Sequence, residues 1–272
     1  MPPLICLRAY RMGSGLAIWR KTTAIFITNA IAPRGFAMYD TDVSMQSSRR
    51  FPMVLHHAII FYFTRRPLIM TPYTEGFSAE PIPDSIFEIM KGKSFKDDCT
   101  IPREELAFLR IRYVDLQGKT QDGEMVVNRR IAETVLSIFQ ELYAAKYPIE
   151  KIRLVDHYDA DDERSMTDNN SSSFNFRFIS HTTKVSKHGM GAAIDINPLY
   201  NPYVKMVDGK LTIEPAAGAP YIDRSRDFPM KIDEKDLACI IFAKYGFEWG
   251  GSWEDRKDYQ HFEIPDDVIK NW

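Results

Sequence analysis

The chain has 272 residues, enough for one sizeable domain with an appendage or for two small domains. Its 44% hydrophobic and 26% charged residues are those of an ordinary soluble globular protein. The net charge of -2 offers no overall basic field to hold phosphates, which argues against general nucleic-acid binding.

That average hides an asymmetry, because residues 1–70 carry nine Lys/Arg against two Asp/Glu, a net of +7, and the rest of the chain carries -9. Cys6, Cys99 and Cys239 are far apart and odd in number, so neither a disulfide framework nor a thiolate metal site is suggested. No run reaches the ~18 consecutive apolar residues of a membrane-spanning helix.

Residues 1–70 read as an N-terminal extension without a clear period of 2 or 3.6. The stretch TTAIFITNAIA follows Arg20-Lys21 and ends in an Ala-x-Ala-like Ala30-Ile31-Ala32, the basic-then-apolar order of an export leader. It begins late and its core holds Thr28 and Asn29, so a disordered extension or a start drawn too far upstream are the other readings. Cys6 lacks the small residues expected before a lipidated cysteine.

A domain spanning 71–272 is expected to follow. PYTEGFSAEPIPDSIFEIM opens it with proline punctuation and a short apolar helix. In FLRIRYVDLQGK, Leu109, Ile111 and Tyr113 alternate with Arg110 and Arg112, which predicts a half-buried strand ending at Gly118. Over 129–146 the residues Ile131, Val135, Ile138, Phe139 and Leu142 mark one apolar helix face, with Asn128 as N-cap and Pro148 beyond its end.

KIRLVDHY reads as a strand, and the Asn/Ser-dense DADDERSMTDNNSSSFNFR as a loop of the length that tends to be functional. AAIDIN alternates Ala192, Ile194 and Ile196 with Ala193, Asp195 and Asn197, a strand. DEKDLACIIFAKYG predicts a helix stopped at Gly246, and YQHFEIP a closing strand. Strands and helices mix without a βαβ rhythm, so the fold class is α+β.

The chemistry concentrates in two stretches. In SKHGMGAAIDIN, His188 sits in a glycine-bearing turn entering a strand, and Asp195 lies where that strand exposes a polar side chain. The small residues between them would let the backbone pass close beneath a bound ion. A satisfied buried histidine beside a turn is the other reading.

GFEWGGSWEDRKDYQHFEI adds Asp258 and His261, three apart, after Gly250-Gly251. Two histidines and a carboxylate give three metal ligands and leave a fourth position open. A second carboxylate nearby can serve as general base in metal-assisted hydrolysis. His56 and His57 read as solvated or core residues, His157 and His181 flank the Asn/Ser segment, and Trp249 and Trp253 either wall a cleft or pack in the core.

The segment Ser186-Lys187-His188-Gly189-Met190-Gly191-Ala192-Ala193-Ile194-Asp195 resembles the S-x-H-x-x-G-x-A-x-D signature of LAS-type zinc peptidases, the D-alanyl-D-alanine carboxypeptidase and L-alanyl-D-glutamate peptidase group. Asp258-Tyr259-Gln260-His261-Phe262 resembles that group's second signature, with the D-x-x-H spacing of the phage-endolysin-like branch rather than the E-x-x-H of the VanY-like one. DNNSSSFNFR resembles its Asn/Ser-rich segment ending in arginine. The resemblance covers about residues 100–265.

It implies a small antiparallel sheet carrying a zinc site, flanked by helices in a hedgehog/DD-peptidase-like arrangement. His188, Asp195 and His261 would bind Zn2+, and Asp258 would be the catalytic base. Arg177 would hold a substrate carboxylate or the developing oxyanion, and Ser186 would donate a hydrogen bond beside the site. For these last two the residues alone offer an ordinary surface salt bridge and a turn-capping hydroxyl.

The implied partners are peptidoglycan stem peptides, cut either as a D-Ala-D-Ala carboxypeptidase or as an L-Ala-D-Glu endopeptidase, in the periplasm or outside the cell. Two alternatives stand beside this: a zinc-containing binding module of the same fold without activity, and a zinc hydrolase of another amide. Asp258 at the base position speaks for the enzyme.

Overall fold

In the computed structural model, residues 75–179 and 182–272 are described. The leader-like stretch, His56, His57 and His181 lie outside the described residues.

The first strand is β1 (Ser78–Pro81), where Pro81 has no amide to donate and an edge position tolerates that. Helix α1 (Asp84–Met90) follows and buries Met90. Strands β2 (Leu106–Val114) and β3 (Thr120–Asn128) form a long antiparallel hairpin, and β1 adds to the free edge of β2.

Leu109, Ile111 and Tyr113 are buried and Arg110 is exposed, as the alternation predicts. Phe108 is buried too, because the opposite face is covered by Met90, Phe174 and Phe176. The strand stops at Val114, and Gly118 takes φ +76 in the turn beyond it.

The Asn128 side chain accepts the Arg130 amide at 3.1 Å and starts a 3-10 turn over Arg129–Ile131. Helix α2 (Ala132–Ala144) continues from it, and all five residues of the expected apolar face are buried.

The expected strand KIRLVDHY is cut to β4 (Lys151–Ile152), after which Val155–Tyr158 winds into a 3-10 turn. The Asn170 side chain causes the cut. It accepts the Arg153 amide at 2.8 Å and donates to the Arg153 carbonyl at 3.0 Å, taking the groups a longer strand would pair.

The Asn/Ser segment is not the loop its composition suggests. Asp161 caps α3 (Asp162–Thr167) by accepting the Arg164 amide, and β5 (Asn170–Ser171) pairs in parallel with β4. Ser172 exchanges both backbone hydrogen bonds with Asp195, at 3.1 and 2.9 Å.

Strand β6 (Ala193–Asp195) keeps Ala192, Ile194 and Ile196 in the core. The hairpin β7 (Tyr203–Val207) and β8 (Lys210–Glu214) comes next. Helix α4 (Leu237–Lys244) starts later than its sequence pattern suggests, since Asp236 is extended and caps it by accepting the Ala238 amide at 2.8 Å. Gly246 at φ +86 ends it as expected.

Then come β9 (Glu248–Trp249), β10 (Lys257–Asp258), β11 (His261–Glu263) and a short α5 (Asp266–Ile269) that the sequence pattern did not suggest. YQHFE is therefore not one strand. The chain breaks at Tyr259-Gln260, so β10 joins the sheet β10-β7-β8 while β11 lies in the centre of β6-β11-β9. Both sheets are antiparallel, and the mixture with helices is α+β. Phe262 anchors β11 by stacking on Phe242 of α4, with centroids 4.1 Å apart and planes at 14°.

Candidate metal centre

The register of β6 against β11 sets His261 opposite Asp195. Directly opposed residues of an antiparallel pair share a face, with Cβ atoms about 5 Å apart. Phe262 points the other way into the core. The break between β10 and β11 then brings Asp258 in from the second sheet.

His188 reaches the same point from a tight turn. Gly191 sits at φ +66, and a Cβ there would lie 2.5 Å from the Asn128 amide nitrogen. Its carbonyl accepts that amide at 2.8 Å, tying the turn to β3. At Gly191, glycine thus lets two backbones meet. Ser186 Oγ accepts the Gly189 amide at 3.0 Å, the capping contact, and so shapes the turn that presents His188.

Three ligating atoms converge. His188 Nε2 is 3.2 Å from Asp195 Oδ2 and 3.1 Å from His261 Nδ1, which is itself 3.1 Å from Asp195 Oδ1. Each of the three residues offers an atom within 4.8 Å of the others, and both histidines are buried. The tautomers follow from the far sides of the rings. His188 Nδ1 donates to the Ser173 carbonyl at 2.7 Å, which leaves Nε2 free to ligate. His261 Nε2 lies 2.9 Å from Glu263 Oε2.

Two imidazoles and one carboxylate, each with a potential ligand atom turned to a shared point, are a donor set that fits a metal ion. The electrostatics agree, since three carboxylates surround two imidazoles and favour positive charge between them. Burial opposes ionisation of Asp195, yet the two histidines outweigh it and hold its carboxyl well below the usual range. Burial likewise opposes charge on His261, but Asp195 and Glu263 outweigh it and raise that imidazole to about 10.

Asp258 behaves in the opposite sense. Burial pushes its carboxyl up to about 6 against the attraction of His261, and nearby Asp195 adds to the rise. Its Oδ1 is shielded and has no hydrogen-bond partner. Gly250 permits this shielding, because the turn passes so close that a Cβ would meet Asp258 Cβ at 2.8 Å. A carboxylate poised near neutrality and short of one partner can accept a proton.

Arg177 is close enough for its charge to lower the Asp258 pKa. Its Nε lies 2.8 Å from Asp162 Oδ2, off line, and makes no hydrogen bond. Trp253 stands with its ring 5.5 Å from that of His261 and with the Arg256 guanidinium over it, whereas Trp249 donates to the Tyr259 carbonyl at 2.9 Å and packs against the core. His157 is exposed on its 3-10 turn and stands outside the cluster.

Sequence reasoning missed Ser173 and Glu263. Strand alternation, which puts residues two apart on one face, is a signal for Glu263 beside His261. Ser173 acts through its carbonyl, for which no side-chain signal exists.

Neither the curated proteins nor the solved structures contain a match to this chain. Residues 180–264 match the family model described as D-alanyl-D-alanine carboxypeptidase. The matched region holds His188, Asp195, Asp258 and His261, and it supports, for that part of the chain, the LAS-type peptidase family that both motifs resemble.

Proposed function

We propose that this protein is a zinc peptidase that hydrolyses a peptide bond in the stem peptides of peptidoglycan, on a hedgehog/DD-peptidase-like sheet. The observation that carries the reading is the buried His188–Asp195–His261 cluster with the unpartnered carboxylate of Asp258 beside it. His188 Nε2, Asp195 and His261 Nδ1 would hold the metal. A metal there supplies Lewis-acid activation of water and of a carbonyl oxygen.

The protein's own groups account for the remaining work. Asp258 accepts the proton of the attacking water on a carboxylate oxygen and later returns it to the leaving amine nitrogen. Its raised pKa suits both directions of transfer. Arg177 offers a cation to a substrate carboxylate or to charge developing on the carbonyl oxygen. The Trp253 ring, 5.5 Å from that of His261, stands beside the cluster. Peptidoglycan lies outside the cytoplasmic membrane, so action is placed in the periplasm or beyond. Among the described residues no helix is long and apolar enough to cross a membrane.

The test is incubation of the zinc-loaded protein with defined muropeptides, with products weighed by mass spectrometry. Loss of a single alanine identifies a D-Ala-D-Ala carboxypeptidase and gives Arg177 a terminal carboxylate. Release of L-Ala from the D-Glu-bearing remainder identifies an endopeptidase. Intact muropeptides with zinc bound would sink the peptidase and favour a binding module of the same fold.

A further inference from the structure

We propose that Lys187 and Glu263 form a clamp that holds the His261 ring with Nδ1 turned to the metal. The inference rests on the metal-centre reading above and not on the choice of substrate. A neutral imidazole has one donor and one acceptor nitrogen, and an ionised carboxylate only accepts. Once a metal displaces the second proton of His261, Glu263 Oε2 at 2.9 Å keeps the remaining one on Nε2, which frees Nδ1, the nitrogen that faces Asp195 and His188, to ligate. The two histidines thus present opposite nitrogens, each selected by the acceptor behind it.

Glu263 alone would be a flexible arm, but Lys187 fixes it. Lys187 Nζ is 3.5 Å from Glu263 Oε1, donates to the Ile264 carbonyl at 2.6 Å and lies 2.7 Å from Asp266 Oδ1. The Lys187 and Glu263 side chains are only 10% and 15% exposed. Lys187 also adjoins His188, while Glu263 and Ile264 follow His261. The clamp therefore joins the two histidine-bearing segments behind the cluster. Carboxylates behind ligating histidines orient the ring and raise its basicity, and their loss typically weakens metal binding about 10–100-fold. Glu263 is in this sense a positioning residue.

The experiment uses the full chain and Zn2+ itself, with affinity measured by chelator competition. Nitrogen NMR shifts of His261 in the zinc-loaded protein report which ring nitrogen ligates. Glu263→Ala is expected to weaken zinc binding about 10–100-fold and to lose uniform ligation through Nδ1. Glu263→Gln, which keeps an acceptor, should recover part of that loss. Lys187→Met should weaken binding less than Glu263→Ala.

A purely structural ion pair would change stability without changing the ligating nitrogen. Unchanged zinc affinity and Nδ1 ligation in Glu263→Ala would overturn the clamp. If that variant does not fold, the same result in Glu263→Gln and Lys187→Met together would overturn it. A wild-type protein that binds no zinc would overturn the metal centre, and the clamp with it.

Discussion

Two buried polar clusters lie side by side in this protein and behave differently. One is the knot of Asn169, Asn170, Ser171, Asn197 and Asn201, all buried and neutral. Asn197 accepts the Glu150 amide and donates to the Pro148 carbonyl, while its own amide donates to Ser171 Oγ. Asn201 donates to the Asn197 and Met230 carbonyls and accepts from the Ile232 amide.

The other is the candidate metal centre, where charge is concentrated and Asp258 Oδ1 has no partner. A satisfied neutral cluster shapes the backbone. A charged cluster with an open acceptor has capacity left for a ligand or a proton. The Asn/Ser segment supplies Asn169, Asn170 and Ser171 to the first and the Ser173 carbonyl to the second, so the chemistry of the side chains separates the roles.

Substitutions can break this contrast, and the largest effect is expected at His188. His188→Ala should abolish tight metal retention and with it the proposed activity, measured by metal analysis after dialysis. Normal metal content in that variant would remove His188 from the donor set. Asp258→Asn is expected to keep the metal and the fold while lowering turnover on muropeptides by ~10^2–10^4-fold. Near-normal turnover would show that the proton goes elsewhere.

On the neutral side, Asn170→Ala strips the Arg153 amide and carbonyl and the Ser165 hydroxyl of a partner. It should cost about 1–3 kcal/mol per buried group left unpaired, read as a lowered urea midpoint. Metal affinity in the folded variant should stay near wild type; a large loss there would merge the two clusters into one.

The smallest effect is a pH dependence at the rim. Lys187 and Lys184 hold the Asp266 carboxyl down to about 2, from an ordinary 3.8. A depressed folded-state pKa contributes stability that is present above the unfolded value and is lost as pH falls through the folded one. The urea midpoint of the wild type should therefore gain a pH slope between about 4 and 2 that Asp266→Asn lacks. Equal slopes would mean that the ion pair with Lys187 adds nothing there.

Several features were legible without the fold because they depend on local pattern. The apolar face of α2 obeys the helical period and is buried at every expected position. His188, Asp195 and His261 stood out because their residue types and spacings repeat a motif, and the turn geometry supports it. Length and pattern also placed α4 and its glycine stop.

Other features depended on partners far along the chain. Whether KIRLVDHY stays extended was decided by Asn170, and whether YQHFE is one strand was decided by two sheets claiming its two ends. The nitrogen each histidine turns inward was decided by the Ser173 carbonyl and the Glu263 carboxylate. The sequence by itself determined which residues can ligate and which faces are apolar, since these follow from side-chain chemistry and local periodicity. Tertiary structure decided register, tautomer and the pKa of Asp258, because hydrogen bonding and burial there arise only when distant segments exclude water together.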